Sequence, residues 1–267
     1  GNKPSGYLVL EQAYLRWQPR EFAALRAGIL LQPQGLLNEA HEPTTFSTVE
    51  RPEYHRLILP TTWFGAGIGV GGGLPTVNLH YEVMITEGLD DRKFGAKGQG
   101  IREARQKGAY SKLDNLLGTI RVDYTGITGL RLGGSAAVNQ MISDRDTVSI
   151  KDSLGNVKGP NPNRHVYNRA VIAEVHAAYT GNGVRSSAEF ANISYSPISG
   201  RGGALTRTQG FTAEIGYDIA RLWNPQELAL YPFIRYTRLS MTGALTQDAA
   251  YHRVDAGLAL HPLHQLA

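Results

Sequence analysis

Val77-Asn78-Leu79-His80-Tyr81-Glu82-Val83-Met84-Ile85-Thr86 alternates almost residue by residue between apolar and polar side chains. Val77, Leu79, Tyr81, Val83 and Ile85 share one parity, while Asn78, His80, Glu82 and Thr86 share the other. Successive side chains of a strand point to opposite sides, so the stretch describes a strand with one apolar and one polar face. Any single strand of a soluble antiparallel sheet would read the same way. The recurrence of the pattern, and the spacing between its copies, decide the fold.

The sorting recurs in 211–219, where Phe211, Ala213, Ile215, Tyr217 and Ile219 oppose Thr212, Glu214, Gly216 and Asp218. It recurs again in 117–124 and 253–260. Candidate strands fall at 7–18, 21–31, 62–71, 76–87, 115–125, 129–140, 166–180, 184–195, 208–219, 228–238 and 250–261, with a twelfth starting near His264. Most exceed the soluble mode of about 5–6 residues and suit the ~9–11 residues of a tilted membrane strand. Short turns are expected at Pro19-Arg20, Gly72–Pro75, Gly126–Thr128, Gly181–Gly183, Asn224–Gln226 and Pro262-Leu263. Long connections are expected at 32–61, 88–114, 141–165, 196–207 and 239–249. Short and long alternate along the chain, as they do in outer-membrane up-and-down barrels.

The expected fold is therefore all-β: a transmembrane antiparallel up-and-down β-barrel, with 11–12 strands in one domain over residues 1–267. The chain opens on Gly1-Asn2-Lys3-Pro4 without a signal peptide and ends on Gln265-Leu266-Ala267 without an aromatic final residue. It reads as an internal piece of a longer barrel. Strands 7–18, 184–195 and 228–238 sort less cleanly, with Phe190 and Ile193 on opposite faces.

Composition narrows the function. There is no cysteine, which excludes disulfides and thiolate metal sites. A net charge of +4 argues against a nucleic-acid binder. No apolar stretch approaches the roughly 20 residues of a transmembrane helix. The mean hydropathy of −0.26 suits a barrel, in which only alternate residues meet lipid.

Candidate functional residues follow from parity. Arg26, Glu82, Arg121, Asp123, Arg131, Arg235 and Arg253 fall on polar faces and are expected to line a water-filled lumen. Arg121 and Asp123, near Arg131, suit cross-strand bracing. Residues 65, 67, 69 and 71 are all glycine on one face of Phe64–Gly71. Bare glycine admits close backbone approach, so the 32–61 loop is expected to fold inward against this stripe and narrow the pore. Glu42, Glu50, Arg51 and Arg56 in that loop would form a charged constriction. Its His41-Glu42-Pro43 has neither metal-ligand nor helical spacing. Loop 88–114 carries seven basic residues against four acidic ones. With Arg102, Arg105 and Lys107, it is expected to be an external, anion-collecting segment. His176 and Glu174 share a face, but no serine is tied to them in sequence, so no catalytic residue is assigned.

The stretch Arg26-Ala27-Gly28, Pro33-Gln34-Gly35, Asn38, His41-Glu42-Pro43, Phe46 and Val49-Glu50-Arg51-Pro52 resembles the phosphate-selective porin O and P family. So do Leu59-Pro60-Thr61-Thr62-Trp63, Gly65-Ala66-Gly67 and Glu87-Gly88-Leu89. Further matches are Gly100-Ile101-Arg102 with Arg105-Gln106-Lys107-Gly108, and Gly129-Leu130-Arg131-Leu132-Gly133-Gly134-Ser135. The resemblance implies a Gram-negative outer-membrane pore of roughly sixteen strands, often a homotrimer, with a long loop inside. The best-known phosphate members carry an arginine ladder and a lysine cluster. Here the wall charges are mixed and the 32–61 loop is acidic.

The expected function is passive diffusion of small hydrophilic solutes, weakly favouring anions such as phosphate, without cofactor or metal. A non-conducting anchor barrel, a soluble all-β carbohydrate-binding protein and an outer-membrane hydrolase are the rival readings.

Overall fold

The computed structural model describes residues 10–39, 47–48, 50–96, 99–108, 111–143, 150–151, 157–159, 165–201, 205–223, 228–243 and 246–262. The elements are β1 (Ala13–Arg20), β2 (Ala23–Leu31), α1 (Glu53–Leu57), β3 (Phe64–Leu74), β4 (Leu79–Glu87), β5 (Asn115–Ile127) and β6 (Leu130–Met141). Then come β7 (Ile150–Lys151), β8 (Val157–Gly159), β9 (Tyr167–Gly181), β10 (Val184–Pro197), β11 (Leu205–Tyr217), β12 (Leu228–Gly243) and β13 (Thr246–Pro262). Eleven strands form one sheet in chain order, and β7–β8 is a separate small hairpin. Every neighbouring pair in the sheet is antiparallel. β1 and β13 are the two edges, so the described residues form an open up-and-down sheet.

The faces follow side-chain parity. Val83, Ile85, Ile120, Val122, Phe211, Ile215, Val254 and Leu258 are exposed on one face. Thr86, Thr119, Arg121, Thr212 and Arg235 are buried on the other. Outward aromatic side chains gather at the short-turn end: Trp17, Tyr81, Tyr124, Tyr179 and Tyr217 on strands, Phe22 and Trp223 in turns. Phe190 and Ile193 do lie on opposite faces. Phe190 is outward, and Ile193 is fully buried because the inner face is itself apolar at the long-loop end.

Several boundaries differ from the expected ones. Val77 and Asn78 belong to a turn, a 3-10 helix over Pro75–Val77 followed by Asn78 at φ 53°. Proline fixes the first position of that turn, and asparagine tolerates the left-handed one. β1 runs on to Arg20, so its turn is Glu21-Phe22 rather than Pro19-Arg20. β11 ends at Tyr217, and Ile219 lies in the 3-10 helix Ile219–Leu222. Asp218 caps that helix, accepting from Ala220 N at 3.2 Å and Leu230 N at 2.9 Å. β12 and β13 extend until only 244–245 separates them, so 239–249 is not a long loop. The strict alternation of connection lengths fails there, at the last hairpin. Residues 7–9, Glu42, Lys97, the Asn224–Gln226 turn and the strand expected near His264 lie outside the described residues.

The glycine stripe is packed by β4. A Cβ on Gly67 would fall 2.3 Å from Ile85 O, and one on Gly69 would fall 2.8 Å from Met84 Cγ. β3 gives up side chains so that Met84 and Thr86 can lie over it, and the close approach comes from the next strand rather than from the 32–61 segment.

The inner face at the long-loop end is covered by two segments. Tyr54, Ile58, Leu59 and Trp63 come from residues 32–63, and Leu89, Phe94, Ile101 and Ala104 from 88–114. They pack with Leu117, Ile172, Ala191, Ile193, Tyr195, Leu205 and Leu239 of the strands. Each buried aliphatic or aromatic side chain contributes about 1.5–3 kcal/mol, enough to hold both segments against the wall. Phe94, Tyr167 and Tyr195 meet with ring centroids 5.2–5.7 Å apart.

Candidate functional site

The polar face changes character toward the short-turn end. Register places Glu82, Arg121, Ser135 and Glu174 in one row across β4, β5, β6 and β9. The adjacent row holds His80, Asp123, Gly133, His176 and Glu189. Gly133 is the enabling residue. A Cβ there would fall 2.5 Å from both Asp123 Oδ1 and His176 Nε2. Without it, these two groups meet across β6 at 2.7 Å.

His176 Nδ1 lies 2.7 Å from Glu174 Oε1, so both ring nitrogens face carboxylates. Only a ring donating from both nitrogens satisfies both ends. Ser135 Oγ donates to Glu174 Oε2 at 2.7 Å, leaving no ring nitrogen for a serine pair. Arg121 holds Asp123 in a fork, Nε to Oδ2 at 2.6 Å and Nη2 to Oδ1 at 3.2 Å. Its Nη1 donates to Gly35 O at 2.7 Å and lies 3.4 Å from Glu39 Oε2. The wall thus grips the inward segment through its backbone and a side chain.

The rest of that segment docks in the same way. Glu189 of β10 accepts from Leu36 N at 2.8 Å and pairs with His55 Nε2 at 2.8 Å. Gln32 donates to Thr86 Oγ1 at 2.7 Å. Asn38 Nδ2 donates to Gln32 O and Trp63 O, and Trp63 N donates back to Asn38 Oδ1 at 2.9 Å. One buried amide therefore ties both ends of the segment together. Ser47 donates to Glu214, which also pairs with Arg235, and Arg235 Nη1 donates to Thr48 Oγ1 at 3.1 Å.

The residues expected in the constriction are spread over two settings. Arg51 Nη1 donates to Thr61 Oγ1 at 2.9 Å, and Arg56 pairs with Glu53 at 2.7 Å. Glu50 is exposed. Thr48, Glu50, Arg51, Glu53, Arg235, Arg253 and Asp255 line a cavity of about 240 Å³. Of the wall residues, Arg26 pairs with Glu82 at 2.5 Å and Arg253 with Asp255 at 2.6 Å. Arg131 has no ion pair among the described residues.

Arg131 instead lines a larger cavity of about 510 Å³ on the inner face of β1–β6. Arg16, Arg26 and Arg121 share it with Glu21, Glu39, Glu82 and Asp123. Burial first, then the facing Glu82 carboxylate, holds the Glu39 carboxyl above its usual range. Arg26 Nε and Glu82 Oε2 are shielded from solvent without a hydrogen-bond partner.

The 88–114 segment is not a solvated collar. Arg105 is half-buried and its Nη1 donates to Thr61 O at 2.6 Å and Thr62 O at 3.1 Å. Arg102 is partly exposed, with Nη1 3.4 Å from Arg56 O. Burial, then the neighbouring cations, holds Arg102, Arg105 and Lys107 below their ordinary values. Apolar residues interleaved among the charges draw this segment inward. Asp91 anchors it: Oδ1 lies 2.5 Å from His165 Nδ1, and Oδ2 accepts from Val166 N and Tyr167 N. Parity placed Glu189 on the inner wall and Glu174 with His176 on one face, but Asp91, His165, His55 and Glu39 lie on connections and carried no parity signal toward a site. Among the described residues no cluster of three or more His, Asp or Glu could hold a metal ion.

No protein-family model matches the chain. A protein of Aquifex aeolicus (strain VF5), described as an uncharacterized protein, is 37% identical over 141 residues, 52% of this chain and 32% of that protein. Among solved structures, the "Outer-membrane expressed OmpT of Vibrio cholerae" has a TM-score of 0.52 at 10% identity, over 90% of this chain and 62% of that one. The chain thus spans about a third of that relative and under two thirds of that structure. At such identity the likeness concerns the fold alone, and the fold is that of an outer-membrane β-barrel.

Proposed function

We propose that the protein is an outer-membrane porin of a Gram-negative bacterium, a passive diffusion channel for small hydrophilic solutes. The observation that carries this reading is the cavity of about 510 Å³ on the polar face, lined by charged side chains and lying beside an inward-folded segment. The opposite face is apolar and edged by aromatic residues, as a lipid-facing barrel wall requires. Short turns then face the periplasm and long connections the exterior. Further strands, to roughly sixteen, would close the barrel. Membership of the phosphate-selective porin O and P family and a homotrimeric assembly belong to the same proposal.

Most wall arginines are paired, so charge selectivity is weak. The preference is for anions, and its carriers are Arg131 and Arg16 in the cavity. Within 88–114, Arg102 and Arg105 donate to loop carbonyls, and Arg92 and Lys93 pair with Asp90. No covalent chemistry and no cofactor are assigned.

Reversal potential across a salt gradient tests this. The full-length protein should give a small potential of anion-selective sign, and Arg131→Gln should bring it toward zero. Clear cation selectivity in the unmodified protein would contradict the reading. A non-conducting anchor barrel is the second reading. It is favoured by the dry cluster that fills the inner face at the long-loop end.

A further inference from the structure

Outward-facing charge is distributed unevenly. On β1–β6 the described outward face carries no exposed charge at the long-loop end, and Glu87 there is buried and accepts from Gly108 N. On β9–β13 three arginines face outward and are exposed: Arg169 on β9, Arg207 on β11 and Arg238 on β12. Their strand neighbours Ala170, Thr208 and Leu239 are buried on the inner face, which fixes the parity. None of the three has an ion pair among the described residues, and no described acidic side chain shares this part of the face.

Two of the three stand at a common height. Arg169 and Tyr179 are ten residues apart on β9, and Arg207 and Tyr217 are ten apart on β11. Arg238 on β12 is the cross-strand partner of Phe211, so it stands about three residues nearer the turn end than Arg207 once the tilt is followed. Ten residues span about 33 Å along a strand. At the tilt of about 35–45° usual in membrane barrels, that is about 23–27 Å of height, close to the ~25 Å apolar band.

The turn-end aromatics run in a line with that tilt. From Trp17 on β1 to Tyr217 on β11 the girdle descends about one residue per strand in register, which corresponds to about 35° for strands about 4.8 Å apart. Arg169 and Arg207 therefore lie at the opposite edge of the band, where the exterior leaflet has its headgroups, and Arg238 lies about 10 Å inside that edge along its strand.

The surface between them is polar and bonded. Gln209 Nε2 donates to Asn192 Oδ1 at 3.1 Å, and Asn192 Nδ2 donates to Ser194 Oγ at 3.1 Å. Just below, Phe211 and Tyr236 pack at 6.3 Å between centroids, and Tyr236 OH lies 2.7 Å from His252 Nδ1. Arginine guanidinium is a planar multi-donor suited to phosphate oxygens.

We infer that Arg169, Arg207 and Arg238 form a docking stripe for the phosphate groups of an anionic lipid in the exterior leaflet, its acyl chains lying on the apolar face of β9–β13. The orientation rests on the barrel reading above, but conduction plays no part in it.

The test uses full-length protein in neutral detergent, with retained lipid measured by native mass spectrometry. The probes are diphosphorylated lipid A, its dephosphorylated form and phosphatidylcholine. The diphosphorylated probe should be retained at least tenfold over the other two. The triple variant R169Q/R207Q/R238Q should lose that excess while its folded band on an unheated gel and its conductance stay as in the unmodified protein. Equal retention of all three probes, or a triple variant that binds as well, overturns the inference. So does an equal loss on neutralising two exposed turn-end cations, Arg20 and Arg221, which would mark general charge attraction. Phosphate-dependent retention by a protein that never conducts would leave the stripe standing and sink the channel.

Discussion

The inner face has two halves built from the same strands. Toward the long-loop end, Leu117, Ile172, Ile193, Tyr195 and Leu239 point inward and meet Tyr54, Ile58, Trp63 and Ile101 in a dry cluster. Toward the short-turn end, Arg26, Arg121, Asp123, Glu174 and His176 point inward, most of them bordering a wet cavity. Strand parity is the same in both. The difference lies in what faces the wall: apolar folded chain in one half, an open cavity lined by charged side chains in the other. A polar-in, apolar-out rule describes a barrel wall only where water is the covering phase.

That contrast is tested most severely at Arg121. Arg121→Ala leaves Asp123 and Glu39 without their guanidinium. Removing one member of a buried pair costs about 3–5 kcal/mol, an upper figure here because Glu39 reaches the cavity. Denaturant unfolding in detergent should show a drop approaching that size, and the channel should turn toward cations. A loss below about 1 kcal/mol would mean that this half is as well solvated as a surface.

Ile193→Ala probes the dry half and should cost about 2–4 kcal/mol. Phe190→Ala, three positions earlier but on the outward face, should cost clearly less in the same assay. Equal costs would erase the distinction between cluster and exterior.

Arg131→Gln is expected to leave stability within about 0.5 kcal/mol, as for surface changes, and to act on selectivity alone. A large stability loss would show Arg131 to be a hidden brace.

The smallest effect is a pH dependence from Glu39. Its carboxyl is raised above 4.5 in the folded protein, so the folded state holds the extra proton in a window above that value. As pH rises through the window, any stability tied to that proton is lost and the cavity gains a negative charge. Anion preference should therefore weaken with rising pH, and Glu39→Gln should abolish the trend. An opposite slope would assign the titration to another group.

Much of the fold was legible because period-two patterning is a local property of each strand. Leu79–Glu87 and Phe211–Tyr217 announce their faces without reference to neighbours. Boundaries were less legible where capping chemistry decides them, as at Pro75–Asn78 and Asp218. The last hairpin was misread because Ser240–Gly243 and Thr246–Ala249, Met241 apart, are polar or small, and such strands resemble loops. Of the site, Arg121 and Asp123 were visible as a same-face pair. Glu39, His55 and Asp91 were not, because each acts on a residue far away in sequence: Glu189 for His55, His165 for Asp91. Gly133 shows the same limit, since its role depends on two strands meeting across it.

The central claim is that a water path runs past the charged half of this wall. Single-channel recording of the full-length protein in a planar bilayer tests it most directly. Discrete ohmic steps, enlarged when residues 47–56 are replaced by a short Gly-Ser link, are the predicted result. Protein that is folded by unheated gel mobility and inserted, yet never passes current, would contradict it.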